Sequence, residues 1–232
     1  MTLYFLDFTH ELVNYQSKPP QNPIAPNWVL PVMQSQVMNF EEWHKDLRDY
    51  AETIPNPDYF RKDSIDLDFD GWSTEETNRI PEYNFLVADN IAVAEFRDFI
   101  RKSHDVYCKA LGITVTKEMR NALKIQCWVN ILPHGEAIKP HNHYSGDNSW
   151  ISGNYSLTAN EDTYTAYYAP SHEIRIHNQP GMLIQFPSHV AHYTNTYLGD
   201  DKRITIAYDI FFDKLSQWSG EYPALQEMKL YA

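Results

Sequence analysis

Pro140-His141-Asn142-His143 places two imidazoles at i and i+2, and Phe186-Pro187-Ser188-His189-Val190-Ala191-His192 brings another far along the chain. On a strand, i and i+2 side chains share a face, so His141 and His143 can present two ring nitrogens to one point while His192 arrives from a neighbouring strand. Three such nitrogens suit Fe(II), Mn, Ni or Zn, and ligand softness alone does not choose among them. Both motifs stand in proline-punctuated turns beside apolar strands, which separates these three from an arbitrary draw of the ten histidines. Ferrous oxygenases hold iron through a facial set of three ligands that leaves positions open for a co-substrate and dioxygen. His141, His143 and His192 supply such a set, with an imidazole in place of the usual carboxylate.

Beyond His192, Arg203-Ile204-Thr205-Ile206-Ala207 alternates, so Arg203, Thr205 and Ala207 face one way. A guanidinium with a hydroxyl two residues on makes a fork for a carboxylate, which a dicarboxylate co-substrate reaching the metal requires. Trp128, Asn130 and Tyr155 are candidates to line that co-substrate pocket from adjacent strands; ordinary packing is the competing account, and for Trp128 the two weigh equally. His172, His177 and His189 read as surface or supporting residues. No G-x-S-x-G elbow and no Gly-rich phosphate loop is present.

These residues need strands to carry them. From Ala122 the hydrophobic period changes from helical to alternating, predicting strands at about 122–132, 150–158, 163–168, 173–177, 182–186 and 203–212, and hence two sheets or a barrel. In the first, Leu123, Ile125, Cys127, Val129 and Ile131 share one face, and Gln126, Trp128 and Asn130 the other, polar enough for a pocket. Before it, a helix is expected from an Asn39 cap through Phe40, Trp43, Leu47, Tyr50, Ala51 and Ile54, and a second between Asn90 and Leu111, stopped by Gly112. Residues 1–38, with Pro19, Pro20, Pro23, Pro26 and Pro31, read as an extended arm lying on the body rather than a packed element. Asp66, Asp68, Asp70 and Gly71 imitate the first half of a calcium loop, but Thr77 stands where the bidentate Glu belongs, so no metal is assigned there. Residues 213–232 read as a tail, short helix or coil.

The whole is an α+β protein of one domain, 1–232: arm, helices and loops to 119, a β core over 120–212, then the tail. Its 232 residues carry 19 basic against 31 acidic side chains, a net charge of −12 that repels a phosphate backbone, so nucleic acid is not an expected partner. Cys108 and Cys127 form no CxxC pair, and no stretch has the length and apolarity to cross a bilayer. A cytoplasmic protein with no membrane partner is expected.

In combination, Trp128-Val129-Asn130, Gly135, Pro140-His141-Asn142-His143, Ser152-Gly153-Asn154-Tyr155, Pro180-Gly181-Met182-Leu183, Phe186-Pro187-Ser188, His192, Asn195 and Arg203-Ile204-Thr205-Ile206-Ala207 resemble the 2-oxoglutarate/Fe(II)-dependent oxygenases of marine bacteria and phages, similar to prolyl hydroxylases. The resemblance covers about 120–212. It implies a double-stranded β-helix, jelly-roll or cupin-like, with supporting N-terminal helices, and a hydroxylase that consumes dioxygen and 2-oxoglutarate, with ascorbate as an accessory reductant. By position His141 and His192 are iron ligands, His143 stands where prolyl hydroxylases have Asp, and Arg203 with Thr205 takes the distal carboxylate of 2-oxoglutarate. A protein or peptide substrate, prolyl among the choices, follows from the same resemblance; a small metabolite is the alternative. A cupin-type enzyme without a keto acid competes, using His141, His143, Asp147 and His192, as does a non-catalytic metal-binding barrel. Either keeps the fold.

Overall fold

The computed structural model describes residues 6–19, 22–38, 41–53, 84–143, 147–212 and 228–231. Strands β1 (Phe8–Gln16), β2 (Val29–Val37), β3 (Leu123–Leu132), β4 (Ser149–Ser156), β5 (Tyr164–Ala169), β6 (His172–His177), β7 (Met182–Pro187), β8 (His192–Thr194), β9 (Arg203–Phe212) and β10 (Met228–Lys229) form two antiparallel sheets. The larger has seven strands in the order β1-β2-β7-β4-β9-β3-β10, and the smaller has the order β6-β5-β8. Both faces of the large sheet are used. Leu123, Ile125, Cys127, Val129, Ile206, Tyr208 and Ile210 point outward to the helices, whereas Val32, Ile184 and Phe186 point inward to Tyr167, Ile174 and Ile176 of the small sheet.

The outer face is covered by α1 (Glu41–Thr53) and α2 (Ile91–Ala110). Asn90 caps α2 by accepting from the N–H groups of Ala92 and Val93 at 2.8 and 3.2 Å, and Gly112, at φ +73°, lets the chain turn out of the helix at the other end. Phe96, Phe99 and Ile100 are fully buried against the sheet, each contributing about 1.5–3 kcal/mol of burial. Trp43 of α1 packs in the same layer and donates its indole N–H to the Ala92 carbonyl at 2.9 Å, tying the two helices together. A third helix, α3 (Lys117–Ala122), capped by Thr116, leads into β3.

Two expectations are corrected. The N-terminal arm is a pair of ladder strands: β1 pairs with β2 from Phe8↔Val37 to Gln16↔Val29, and β2 joins β7 through Met33–Gln36. Pro31 lies outside the stretch that pairs with β7, where a missing N–H is tolerated; the other described prolines, Pro19, Pro23 and Pro26, lie in the connection between the strands. The described end of the tail is neither helix nor coil, since β10 adds to the edge of β3 and Tyr231 seats its hydroxyl 2.7 Å from His104 Nδ1 and 2.6 Å from Asp105. The acidic stretch 63–71 lies outside the described residues, as do Asn39, Phe40 and Ile54.

At Gly153 of β4, packing leaves no room for a side chain. A Cβ there would stand 2.5 Å from the ring of Tyr208, which is fully buried and cannot swing away. Gly153→Ala is therefore expected to cost about 1–3 kcal/mol in urea unfolding, with the slope of the transition unchanged.

Candidate metal centre

The two histidine segments are joined by backbone. His141 donates its N–H to the His192 carbonyl at 3.0 Å and accepts from His192 N–H at 2.8 Å, while His143 N–H donates to the Ser188 carbonyl at 3.0 Å. The three rings meet with centroids 4.4 to 5.0 Å apart, and one ligand atom from each lies within 4.8 Å of the others.

Each ring also has a partner behind it. Nδ1 of His141 faces the Lys139 carbonyl at 2.7 Å, Nδ1 of His192 faces the Val190 carbonyl at 3.1 Å, and Nδ1 of His143 lies 3.1 Å from a carboxylate oxygen of Asp209. An acceptor at Nδ1 keeps the proton of a neutral imidazole there and leaves the lone pair on Nε2. The Nε2 atoms of His143 and His192 stand 3.3 Å apart. Two ring nitrogens at that distance share a proton in a hydrogen bond, and a cation between them can take the proton's place. Two nitrogens bound at about 2.1 Å to one metal at octahedral or tetrahedral angles are about 3.0–3.4 Å apart, so the spacing fits. Burial first, then the neighbouring His141 and His143, hold His192 well below the usual histidine pKa, keeping it in the neutral form that binds metal. Tyr167 and Phe186 wall its ring at 5.8 and 4.7 Å.

The cluster opens into a cavity of about 330 Å³ between the sheets, also lined by Trp128, Asn130, Asn154, Thr205 and Arg203. Arg203 is 1% exposed. Its guanidinium donates to Asn178 Oδ1 at 2.8 Å and more weakly to Thr165 Oγ1 and the Tyr164 carbonyl, both at 3.4 Å; its Nε has no partner, and no carboxylate pairs with it among the described residues. Burial lowers its pKa to about 10, which still leaves it charged at neutral pH. A buried cation bonded only to neutral oxygens is costly to maintain, and an anion in the cavity would offset that cost.

No family model matches the chain, and no curated protein matches it. Among solved structures it is similar to a prolyl-4-hydroxylase from Pseudomonas putida, at 14% identity and a TM-score of 0.43 over 54% of this chain and 64% of that one. It is similar also to an oxidoreductase of the 2OG-Fe(II) oxygenase family from Burkholderia pseudomallei, at 12% identity and a TM-score of 0.43 over 53% and 59% of the two chains. A third is a prolyl hydroxylase from Trichoplax adhaerens, solved with a peptide fragment of the hypoxia inducible factor oxygen degradation domain, at 14% identity and a TM-score of 0.43 over 60% and 65%. The match spans 59–65% of these proteins, less than two thirds of each. Structural neighbours thus include 2-oxoglutarate/Fe(II) oxygenases and prolyl hydroxylases; at such identities they assign no activity to this chain.

The structure brings His141, His143, His192, Arg203, Thr205, Asn130 and Trp128 to one cavity. Tyr155 is not among them. It points through the other face of β4 into the helix layer, where its ring meets Phe96 at 5.1 Å and its hydroxyl meets Nδ1 of His44 at 2.9 Å. Its neighbour Asn154 takes the cavity side, and the Asn154 Oδ1 and Asn130 Oδ1 atoms both lack partners. Asp147 is exposed and outside the cluster of ligand atoms, so the set of four expected for a cupin is not assembled. His172, His177 and His189 are exposed, as expected. Asp209 and the Lys139 and Val190 carbonyls are the partners that sequence reasoning missed. Among the described residues, no helix is long and apolar enough to cross a membrane.

Proposed function

We propose that the protein is an Fe(II)- and 2-oxoglutarate-dependent dioxygenase, a hydroxylase whose two sheets are the halves of a double-stranded β-helix within one domain, 1–232. The observation that carries this reading is Arg203: a buried guanidinium without a carboxylate among the described residues, sharing its cavity with three converging imidazoles. A metal alone explains the histidines but not the arginine. A dicarboxylate that reaches both explains the two together, which favours the keto-acid enzyme over a cupin-type enzyme or a non-catalytic barrel.

His141, His143 and His192, which line the cavity, would hold the metal. Arg203 with Thr205 would take the distal carboxylate, Thr205 being kept in place by a 3.4 Å hydrogen bond from Asn130 Nδ2. Iron and 2-oxoglutarate, when bound, supply a dioxygen-driven oxidation coupled to decarboxylation of the keto acid to succinate. Tyr167 and Phe186 exclude water behind His192, and Trp128, 5.6 Å from the His143 ring, shields the other side. The substrate is a protein or peptide side chain, such as a prolyl ring, a choice that draws on the sequence resemblance through the ligand and keto-acid residues. Cys108 and Cys127 are both free and buried, in keeping with a reducing cytoplasm.

The test is succinate formation by purified protein given Fe(II), ascorbate, 2-oxoglutarate and a cell extract, read beside a metal-free control. Succinate should exceed the control and a polypeptide in the extract should gain one oxygen. No succinate above control overturns the enzyme assignment; oxygen gained only by free small molecules overturns the substrate and leaves the enzyme.

A further inference from the structure

We propose that Asp209 is a positioning residue that lends the metal centre its negative charge through His143. The three ligands are neutral imidazoles, and two of them are backed by neutral carbonyls: His141 by Lys139 and His192 by Val190. His143 is backed by a carboxylate, with Asp209 Oδ2 3.1 Å from its Nδ1 and side-chain exposures of 9% for His143 and 17% for Asp209. A carboxylate accepting from the far nitrogen of an imidazole makes the near nitrogen a stronger donor, and at a dication it supplies charge that a carbonyl cannot.

Asp209 is itself held in place. Its other oxygen accepts from Ser152 Oγ at 2.7 Å, directly across the β4–β9 pair. Ser152 in turn lies 2.9 Å from Ser188 Oγ; since its single proton goes to Asp209, Ser188 donates to it. The carbonyl of that same Ser188 accepts the His143 N–H at 3.0 Å. Ring and carboxylate are therefore fixed by one closed network, and the carboxylate cannot turn away from Nδ1 without breaking its part-buried hydrogen bond from Ser152. A residue that only tied β4 to β9 would need the bond to Ser152 and not the second oxygen on the imidazole.

This inference rests on the three histidines binding metal, and Co(II), whose visible absorption reports its ligands, separates the two ideas. Titrated with Co(II), Asp209→Asn, which keeps the shape and an acceptor oxygen but not the charge, should bind about 10–100-fold more weakly than wild type and show a shifted band, with an unchanged circular dichroism spectrum. Ser152→Ala, which keeps the charge, should lose far less. A second pair guards against misfolding of the single variant: His143→Asp/Asp209→Asn, with one carboxylate at the metal, should bind better than His143→Asp alone, where two carboxylates face each other. Wild-type affinity and spectrum in Asp209→Asn, or the reverse order in the pair, overturns the inference while leaving the metal centre. Absence of Co(II) binding by wild type overturns both.

Discussion

Replacing Arg203 by methionine is expected to abolish the thermal stabilisation that 2-oxoglutarate gives the metal-loaded protein, while leaving metal binding intact. On the proposed function the substitution would remove a charge-assisted pair with the distal carboxylate at a residue that is 1% exposed, so the expected loss is about 2–5 kcal/mol, or roughly 30-fold to several-thousand-fold in affinity. The sign of the other half of the experiment is less obvious. Without ligand, the wild-type chain keeps a guanidinium in a desolvated site with Asn178, Thr165 and the Tyr164 carbonyl as neutral acceptors and an unpartnered Nε. Methionine removes that burden and fills most of the volume, and Asn178 Oδ1 keeps the bond it accepts from Thr165 Oγ1 at 3.1 Å, so the ligand-free variant should unfold no earlier than wild type. Calorimetry with and without 2-oxoglutarate reads both. A variant that is still stabilised by 2-oxoglutarate like wild type would take Arg203 out of the site, and one that collapses without ligand would make it a structural residue.

That arginine could be found in the sequence because β9 alternates without interruption, and the same alternation held more than was taken from it. Arg203, Thr205 and Ala207 were placed on one face; Asp209 is the next residue of that face, and its register opposite Ser152 puts it under His143. What sequence could not show was the partner, because the Asp209–His143 contact depends on how the His141–His143 segment folds back over the large sheet to bond with Ser188 and His192. Tyr155 illustrates the opposite error. Aromatic residues suggest a pocket wall, yet in β4 Ser152, Asn154 and Ser156 form one face and Tyr155 the other, so period-2 placement alone would have chosen Asn154. The N-terminal strands were hidden for a physical reason. β2 lies between two strands and between two cores, so Val32 and Met33 are buried on opposite faces and the alternation that marks a half-exposed strand is blurred, while Pro31 argues against a strand by composition. Helices α1 and α2 were legible because their faces are one-sided, as where Trp43, Leu47 and Ala51 are buried at helical spacing, whereas α3, with no buried residue, offered no such signal.

His192→Leu should remove metal binding outright and, unlike most substitutions of a buried polar residue, should not destabilise the metal-free chain. His192 is 6% exposed and walled by Tyr167 and Phe186, so its site already suits an apolar side chain of similar size. In the metal-free state its Nε2 and that of His143 make at most one long hydrogen bond, at 3.3 Å, which leucine gives up at little cost. Against this stands one lost hydrogen bond to the Val190 carbonyl, worth about 0.5–1.5 kcal/mol. With metal the order reverses. Wild type at a free metal concentration about 100 times its dissociation constant gains about 2.7 kcal/mol, which for a chain of this size moves Tm by about 5–10 °C. Adding EDTA should erase that gain in wild type and leave the Tm of His192→Leu where it was. If His192→Leu is still stabilised by Fe(II) or Co(II) like wild type, the ligands lie elsewhere. If it is already unfolded before metal is added, the ring serves packing first and a cation second.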